Sequence, residues 1–391
     1  MTGPEPRGDP STADGPQAEH AEVRVVPLLG IPEVLPHHDL AALLRAALDG
    51  AGLDLRDGDV VVVSSKIVSK AQGLRVQLGD EEHRGGSTDA SPESLVLSQT
   101  ARVVAERRTP GGMTRIVAAH AGPVLAGAGV DQSNTGPLGG SLVLPTDPDG
   151  AARSVYAGLL RAYAPSPLPQ IAVVISDTAG RPWREGQVDF ALGACGVQVL
   201  DDLRGGTHVD VDGRPLQVTA RAVADEIAAA ADLVKGKTSH IPAALVRGLP
   251  LSLIGDPRAA GAGSMVRTGT ADWFALGTVE AVRSSLAAPP GTSVADQVGV
   301  ASSGPEPLDV RAQRAVDVAL VTDDPLTEPD SVLIGDGVIE VRIADAYLRG
   351  RIVARVEVAL HSEHLAHYCV RPISAAADGR VEPSSGLCAA D

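Results

Sequence analysis

Short apolar runs alternate with amphipathic stretches along most of this chain. The four valines at 60–63 and the segment Ile-Ala-Val-Val-Ile at 171–175 are typical of strands buried on both faces of a sheet. Both runs end abruptly in polar residues, so each strand is expected to deliver polar side chains to a site at its end. Further strands are predicted at 23–29, 115–119, 123–126 and 243–246.

Helical spacing of apolar residues predicts helices between these strands. Asp39 is a suitable N-cap for a helix at 40–48, and the alanine-rich stretch 219–234 has a strong helical pattern. Strands and helices mixed without a repeating unit predict an α+β or mixed α/β fold. Other helices are predicted at 95–106, 152–162 and 187–192.

The polar segment after the run at 171–175 is a candidate site. Asp177 and Thr178 carry the hard oxygen ligands that Mg²⁺ and Mn²⁺ prefer, and Arg181 and Arg184 can bind phosphate or carboxylate through forked hydrogen bonds. A polar loop with a capping aspartate is the alternative interpretation. Trp183, in the same segment, is expected to pack against the protein rather than stack on a substrate.

Two more polar groups follow apolar residues. The segment from Asp131 to Asn134 adds a carboxylate, a hydroxyl and an amide, although a simple turn explains it equally well. Ser65, Lys66 and Lys70 place hydroxyl groups and positive charge after the four valines, where solvated lysines are the alternative. Lysine occurs at four positions in the chain, which are Lys66, Lys70, Lys235 and Lys237.

The letters Asp-Thr-Ala-Gly at 177–180 and Gly-Lys-Thr at 236–238 also occur in switch GTPases. A Walker loop requires a glycine five residues before its Gly-Lys pair, and Ala231 stands there. The chain's one asparagine, Asn134, lies outside any guanine-reading Asn-Lys-x-Asp motif. The sequence therefore excludes a switch GTPase.

Taken together, these segments resemble the coenzyme F420-0:L-glutamate ligase family. The resemblance covers about residues 22–277 and includes Gly-Ile-Pro-Glu at 30–33, the stretch 216–226, Ile-Pro-Ala-Ala-Leu-Val-Arg-Gly at 241–248 and Ala-Asp-Trp-Phe at 271–274. The family uses GTP to phosphorylate the carboxylate of a lactyl-phosphate side chain on a deazaflavin coenzyme. The amine of L-glutamate then displaces phosphate from this acyl phosphate and leaves an amide. The resemblance therefore implies a ligase in coenzyme F420 biosynthesis, with further γ-linked glutamates left open.

The same resemblance assigns roles to residues. It implies that Asp131 and Asp177 are catalytic and hold one divalent ion, while Thr178 contacts a second ion. Arg181 and Arg184 are candidate substrate contacts. It implies GTP as co-substrate with Mg²⁺ or Mn²⁺, leaves room for K⁺, and gives no reason to expect FMN. The implied GTP-binding residues are Gly30, Ile31, Pro32, Glu33, Ser65, Lys70, Asn134, Lys235, Gly236, Lys237, Thr238 and Ser239.

Lys237 departs from the family, whose members often carry Glu or Gln at this position. An ammonium group cannot ligate a cation. Either a second ion has fewer protein ligands here, or Lys237 neutralises phosphate in its place, so the metal count stays open. Two alternative functions also stay open: a non-catalytic nucleotide-binding or regulatory homologue, and a metal-dependent phosphohydrolase.

Composition and the extent of the resemblance together divide the chain into three parts. The composition of residues 1–21 predicts a disordered tail. The resemblance implies that residues 22–277 form the ligase domain and that residues 278–391 are a C-terminal extension of unknown role. Relatives from actinobacteria often carry a flavin-binding, nitroreductase-like domain at this end, but the extension is short for a working one. A degenerate remnant or another small α/β region is expected, with a helix at 310–321 and strands at 338–343 and 352–360.

Charge and cysteine content limit the partners and the compartment. The net charge of −16 argues against general binding to nucleic acid or anionic membranes. Three cysteines without regular spacing predict reduced thiols, and no apolar run approaches the roughly 20 residues of a membrane span. A cytoplasmic protein with small-molecule substrates is expected, and the resemblance implies a homodimer. His361, His364 and His367 are interpreted as incidental residues of a helical turn rather than a zinc site.

Overall fold

The computed structural model describes residues 22–77, 91–161, 167–205, 208–322, 324, 326–375 and 381–383. The tail predicted at 1–21 lies outside these ranges. The described part is a mixed α/β protein, which confirms the predicted fold class. Within the same ranges, no helix is both long enough and apolar enough to cross a membrane.

The helices and strands are numbered along the chain. The helices are α1 Leu40–Gly50, α2 Ser65–Ala71, α3 Pro92–Ser98, α4 Pro148–Arg161, α5 Val223–Lys235, α6 Thr278–Ser285, α7 Ser293–Val298, α8 Leu308–Ala319 and α9 Ala346–Ser362. The strands are β1 Arg24–Pro27, β2 Val60–Ser64, β3 Arg75–Val76, β4 Thr100–Thr109, β5 Gly112–Ala119, β6 Val124–Ala126, β7 Ser141–Leu142, β8 Ala172–Arg181, β9 Arg184–Cys195, β10 Asp201–Asp202, β11 Ala220–Arg221, β12 Ala243–Arg247, β13 Ser331–Gly335, β14 Val338–Arg342, β15 Cys369–Ala375 and β16 Val381–Pro383.

A five-stranded sheet in the order β1-β12-β2-β8-β9 forms the centre of residues 22–277, which we call the ligase-like part after the family resemblance. Strands β2 and β8 are parallel, and the other neighbouring pairs are antiparallel. Both faces are covered, as the apolar runs predict: Val61 and Val173 pack on the side of α1 and α4, whereas Val62 and Val174 pack on the side of α5. Because the sheet is buried on both faces, polar chemistry is confined to its edges and strand ends.

Three smaller sheets occur among the described residues of this part of the chain, β4-β5-β6, β3-β7 and β10-β11. The helix predicted at 95–106 is wrong for most of its length, since α3 ends at Ser98 and β4 begins at Thr100. Val104 and Glu106 are buried and their neighbours are more exposed, which is the alternation of a strand paired on one side with β5. The pairing partner, rather than local propensity, decides this segment.

Strands β8 and β9 form a long antiparallel hairpin beyond the sheet core. The predicted strand at 171–175 is confirmed but continues to Arg181, and the helix predicted at 187–192 is wrong because these residues lie in β9. Thr178 pairs directly with Asp189 across the hairpin. The hairpin therefore carries the Asp-Thr motif within a strand rather than on a loop.

The C-terminal region has its own apolar core. Helices α6, α8 and α9 pack together and against the sheet β13-β14-β15-β16. The helix predicted at 310–321 and the strand at 338–343 are confirmed, but the strand predicted at 352–360 is wrong. Ile352, Val356, Ala359 and Leu360 are buried at helical spacing in α9, so the β-branched side chains of Ile352 and Val356 do not decide the element.

This region contacts strand β4 of the ligase-like part. The amide of Arg108 donates to the Ala301 carbonyl at 2.9 Å, and the amide of Glu106 donates to the Glu280 carboxylate at 3.0 Å. Cys369 is disulfide-bonded, so the expectation of reduced thiols is wrong at that position, whereas Cys195 is a free, buried thiol.

Candidate active site

The site begins where the parallel pairing between β2 and β8 ends. Ser64 pairs with Ser176 as the last residue pair of this ladder, so the next residues, Ser65 and Asp177, emerge at the same edge of the sheet. The Ser65 hydroxyl lies close enough to Asp177 to favour its ionised form. Two residues 112 positions apart by their numbers, predicted as a nucleotide contact and a metal ligand, therefore come together.

Asp177 is an acid held among other acids. Loss of hydration raises its pKa to about 6, and the negative charges of Asp189 and Asp131 add to the rise, while the Thr178 amide and the Ser65 hydroxyl oppose it. Within the described residues Asp177 takes part in no ion pair. Negative charge is thus in excess around Asp177, and a bound cation would relieve it.

Asp131 lies opposite a lysine. Lys66 Nζ is 2.6 Å from Asp131 Oδ2, and the amide of Ser133 donates to Asp131 Oδ1 at 2.6 Å. Burial alone would raise the pKa of Asp131, but the hydrogen bonds from Lys66 and Ser133 outweigh it and lower the pKa. The Ser133 contact is the side-chain turn that formed the alternative interpretation, and the same turn holds the carboxylate toward the site.

Asp189 belongs to the site, and the sequence analysis missed it. Its carboxylate accepts hydrogen bonds from Ser176 Oγ at 2.9 Å and Thr178 Oγ1 at 2.5 Å, and it pairs with Lys235 Nζ at 2.6 Å. Burial would raise the pKa of Asp189, but Lys235 and the hydrogen bonds outweigh it and lower the pKa. The predicted helix at 187–192 hid this residue, whereas a predicted hairpin would have placed it opposite Thr178.

The two lysines at the C-terminal end of helix α5 differ sharply in exposure. The Lys235 side chain is 4% exposed and donates to Ser176 Oγ and Asp189 Oδ2, each at 2.6 Å. The Lys237 side chain is 60% exposed, donates to Thr178 Oγ1 and lies 3.4 Å from Asp189 Oδ1. Lys235 is therefore a fixed part of the site, and Lys237 is its accessible ammonium group.

The remaining nucleotide-binding predictions converge on the same edge. Lys70 Nζ is 2.6 Å from Glu33 Oε1, and Asn134 Nδ2 donates to the Lys237 carbonyl at 3.3 Å. Ser239 Oγ donates to the Lys235 carbonyl. The loops that hold Gly30, Ile31, Pro32, Gly236 and Thr238 flank the neighbouring strands β1 and β12. Each of the four lysines of the chain is thus within ion-pair distance of an acid at this site.

Arg181 and Arg184 are not brought to these acids. They pair opposite each other at the tip of the β8–β9 hairpin and are exposed, so their substrate role stays a prediction. Trp183, between them, is 85% exposed and touches Phe274 edge-on with ring centroids 5.4 Å apart. The expectation that Trp183 packs into the protein is therefore wrong.

The acids fit one divalent cation better than two. The lone pairs of their carboxylate oxygens let Asp131 and Asp177 accept contacts beyond their present ones, and among the described residues Asp177 has no ion-pair partner. Asp189, by contrast, is already neutralised by Lys235 and Lys237, and Lys237 also engages Thr178. Among the described residues, no group of three or more His, Cys, Asp or Glu side chains is arranged to hold a metal. This also applies to His361, His364 and His367.

Comparison with known proteins gives this arrangement a context. A sequence model described as F420-0:gamma-glutamyl ligase matches residues 29–248, which contain every predicted site residue. The chain belongs to the F420-0:gamma-glutamyl ligase family. The match also spans Asp189, which the sequence analysis did not select.

Curated members of the F420-0:gamma-glutamyl ligase family show the extent of the likeness. The coenzyme F420:L-glutamate ligase of Methanothermobacter thermautotrophicus is 37% identical over 238 residues, which are 58% of this chain and 90% of that protein. The protein of the same name from Haloarcula marismortui is 36% identical, over 56% of this chain and 84% of its own length. The one from Methanopyrus kandleri is also 36% identical, over 58% and 87%. The likeness therefore covers nearly all of these relatives.

Proposed function

We propose that this protein is a GTP-dependent ligase that forms an amide between L-glutamate and the carboxylate of coenzyme F420-0, in coenzyme F420 biosynthesis. The observation that supports it most is the arrangement of Asp131, Asp177 and Asp189 with Lys66, Lys235 and Lys237 at one edge of the sheet. Acids that can hold a cation, next to ammonium groups that can hold phosphate, suit phosphoryl transfer from a nucleotide. Family membership selects the ligase among the reactions that such a site could serve.

The first step is activation of the acceptor. A carboxylate is a poor electrophile because its oxygen is a poor leaving group, so the γ-phosphoryl group of GTP is transferred to it and GDP departs. The exposed ammonium of Lys237 is free to turn from Thr178 and Asp189 toward phosphate oxygens, and Lys235 keeps Asp189 in place meanwhile. Asp131 and Asp177 would hold Mg²⁺ or Mn²⁺, which supplies charge stabilisation to the transferring group.

The second step forms the amide. The amine nitrogen of glutamate bonds to the acyl carbon, and the bond from that carbon to the phosphate oxygen breaks. Inorganic phosphate leaves, and the proton lost by the amine passes to the phosphate or to solvent. Water must be limited at this stage, since it would hydrolyse the acyl phosphate. The largely buried side chains of Lys70, Lys235 and Asp189 are consistent with a site that is partly closed to solvent.

The division of labour along the chain is part of the proposal. We assign ligase activity to residues 22–277, acting as a homodimer, and leave the small α/β region after it without a catalytic role. Lys237 favours a site with one divalent ion, because its ammonium neutralises the group that a second ion would meet.

The deciding experiment incubates the protein with GTP, Mn²⁺, L-glutamate and coenzyme F420-0 and follows the mass of the coenzyme. Stepwise gain of glutamate residues is expected, and Asp177→Asn should reduce the rate more than about 100-fold. Asp202→Asn is the matched control, because Asp202 is an exposed acid paired with Arg204 away from the site. A rate of GTP hydrolysis that is the same with and without coenzyme and glutamate would indicate a phosphohydrolase. GTP binding without turnover would indicate a regulatory homologue.

A further inference from the structure

Three aromatic side chains share one exposed surface near the tip of the β8–β9 hairpin. Trp183 is 85% exposed, Trp273 is 78% exposed and Phe274 is 61% exposed. The chain has only two tryptophans and two phenylalanines, so most of its largest aromatic side chains lie here. We call these three residues the aromatic surface. A contiguous patch of exposed aromatic rings is typical of a ligand-binding or interaction surface.

The aromatic surface is held in shape by its own contacts. The rings of Trp183 and Phe274 meet edge to face, with centroids 5.4 Å apart and planes at 72°. Trp183 has a φ of 60°, a left-handed conformation that is costly for a bulky residue and that the tight turn imposes. The turn thus presents the indole to solvent at a strained position, which a folded protein retains only where the surroundings enforce it.

Positive charge surrounds these rings. The guanidinium carbon of Arg267 lies 6.0 Å from the centroid of the Trp273 ring, and Arg181 and Arg184 flank Trp183. In the described part of the chain, neither Arg181 nor Arg184 forms an ion pair. Of the nearby acids, Asp272 is paired with Arg102 at 3.1 Å, which leaves the exposed Glu185. In a chain of net charge −16, this is a local basic patch around aromatic rings.

The surface lies within reach of the candidate active site. Thr178 is in the site and Arg181 is three residues farther along the same strand, a span of about 10 Å at roughly 3.3 Å per residue. A ligand that lies along the hairpin could therefore place one end at Asp177 and Thr178 and the other at Trp183. The lactyl-phosphate side chain of a deazaflavin separates its reacting carboxylate from its ring in the same way.

We propose that the aromatic surface is the subsite for the deazaflavin ring of the acceptor, with the three arginines attracting its phosphate and carboxylate groups. This assignment rests on the proposed ligase function and adds the residues that recognise the acceptor. A flat aromatic ring stacks on indole, and guanidinium groups complement an anionic side chain. A second copy of the chain fits less well, because a two-fold contact centred on the surface would bring like-charged arginines together.

The test compares acceptor kinetics in matched variants. Trp183→Ala should raise KM for coenzyme F420-0 about 10-fold or more, as expected for a lost stacking partner, with kcat within about threefold. KM for GTP and for glutamate should not change. Trp183→Phe keeps a ring and should restore most of the affinity. Tyr347→Ala is the control, because Tyr347 is an equally exposed aromatic residue (79%) on helix α9 of the C-terminal region.

A second measurement separates failure of the subsite from failure of the ligase function. Equilibrium dialysis of coenzyme F420-0 without GTP should show weaker binding to Trp183→Ala than to the wild type, whether or not the protein turns over. Equal binding and an unchanged KM would overturn the subsite while the ligase stands. Ring binding lost in the variant, with no ligation by the wild type, would keep the subsite and reject the ligase. A smaller oligomer for Trp183→Ala in light scattering would instead make the surface a contact between copies and overturn the proposal.

Discussion

Two buried clusters of charge, one at the candidate site and one in the C-terminal region, are built in opposite ways. At the site, the single carboxylate of Asp189 meets the ammonium groups of Lys235 and Lys237. In the C-terminal region, the single guanidinium of Arg314 lies between Glu306 and Glu363. In the first cluster one carboxylate has two ammonium partners, and in the second one guanidinium group has two carboxylate partners.

The difference separates a cluster that can exchange partners from one that cannot. Arg314 donates two hydrogen bonds to Glu363, at 2.9 and 2.6 Å, and two to Glu306, at 2.9 and 2.7 Å, and the first of these pairs is buried. These contacts raise the pKa of Arg314 despite its burial and lower the pKa of Glu306. Lys237 is mostly exposed and holds its partners at one flexible end. The arginine cluster fixes structure, and the lysine cluster can pass charge to a ligand.

The largest effect is expected at the arginine cluster. Arg314→Met should lower the free energy of unfolding by about 3–5 kcal/mol, because the buried carboxylate of Glu363 would lose its partner. Urea denaturation measures the change. The control is Arg351→Met, whose partner Asp324 is 60% exposed, and it should cost less than about 1 kcal/mol. Equal costs for the two variants would show that the cluster does not hold this region together.

A smaller loss is expected from the buried lysine of the site. Lys235→Met should lower the free energy of unfolding by about 2 kcal/mol, since Asp189 keeps Lys237 and two hydroxyl groups as partners. The same urea experiment measures it. A cost as large as that of Arg314→Met would mean that Lys237 does not compensate, and the two clusters would then be equally rigid.

The smallest effect on stability is expected at Lys237. Lys237→Gln should change the free energy of unfolding by less than about 0.5 kcal/mol, because the side chain is mostly exposed. Its affinity for GTP should nevertheless fall about 10-fold, or roughly 1.4 kcal/mol, through loss of one phosphate contact. Calorimetric titration of each protein with GTP, in the presence of Mg²⁺, measures this affinity. A large stability loss with unchanged GTP affinity would make Lys237 a structural residue.

Much of the site could be predicted because it lies at the ends of strongly apolar strands. The runs at 60–63 and 171–175 predicted buried strands directly before Ser65 and Asp177, and the rarity of lysine pointed to Lys66, Lys70, Lys235 and Lys237. These signals are local in the sequence. The residue roles that the resemblance implies for metal and GTP stay predictions.

What the sequence could not show depends on pairing between distant segments. Asp189 lies in a mixed stretch whose apolar residues suit either a helix or a strand, and only its hairpin with β8 sets it opposite Thr178. The same ambiguity produced the wrong helix at 95–106 and the wrong strand at 352–360. Trp183 was misjudged for another reason, since the high hydrophobicity of a ring says nothing about the turn that exposes it.

The concentration of lysine at one place has a chemical consequence. Apart from the α-amino group of the chain, every primary amine of this protein lies at the candidate site, and positive charge elsewhere is carried by arginine. An amine-acylating reagent would therefore modify side chains only at the site. Lys237, the most exposed of the four lysines, would react first among them. The protein thus carries a built-in chemical label, whose protection by a ligand would directly report occupancy of the site.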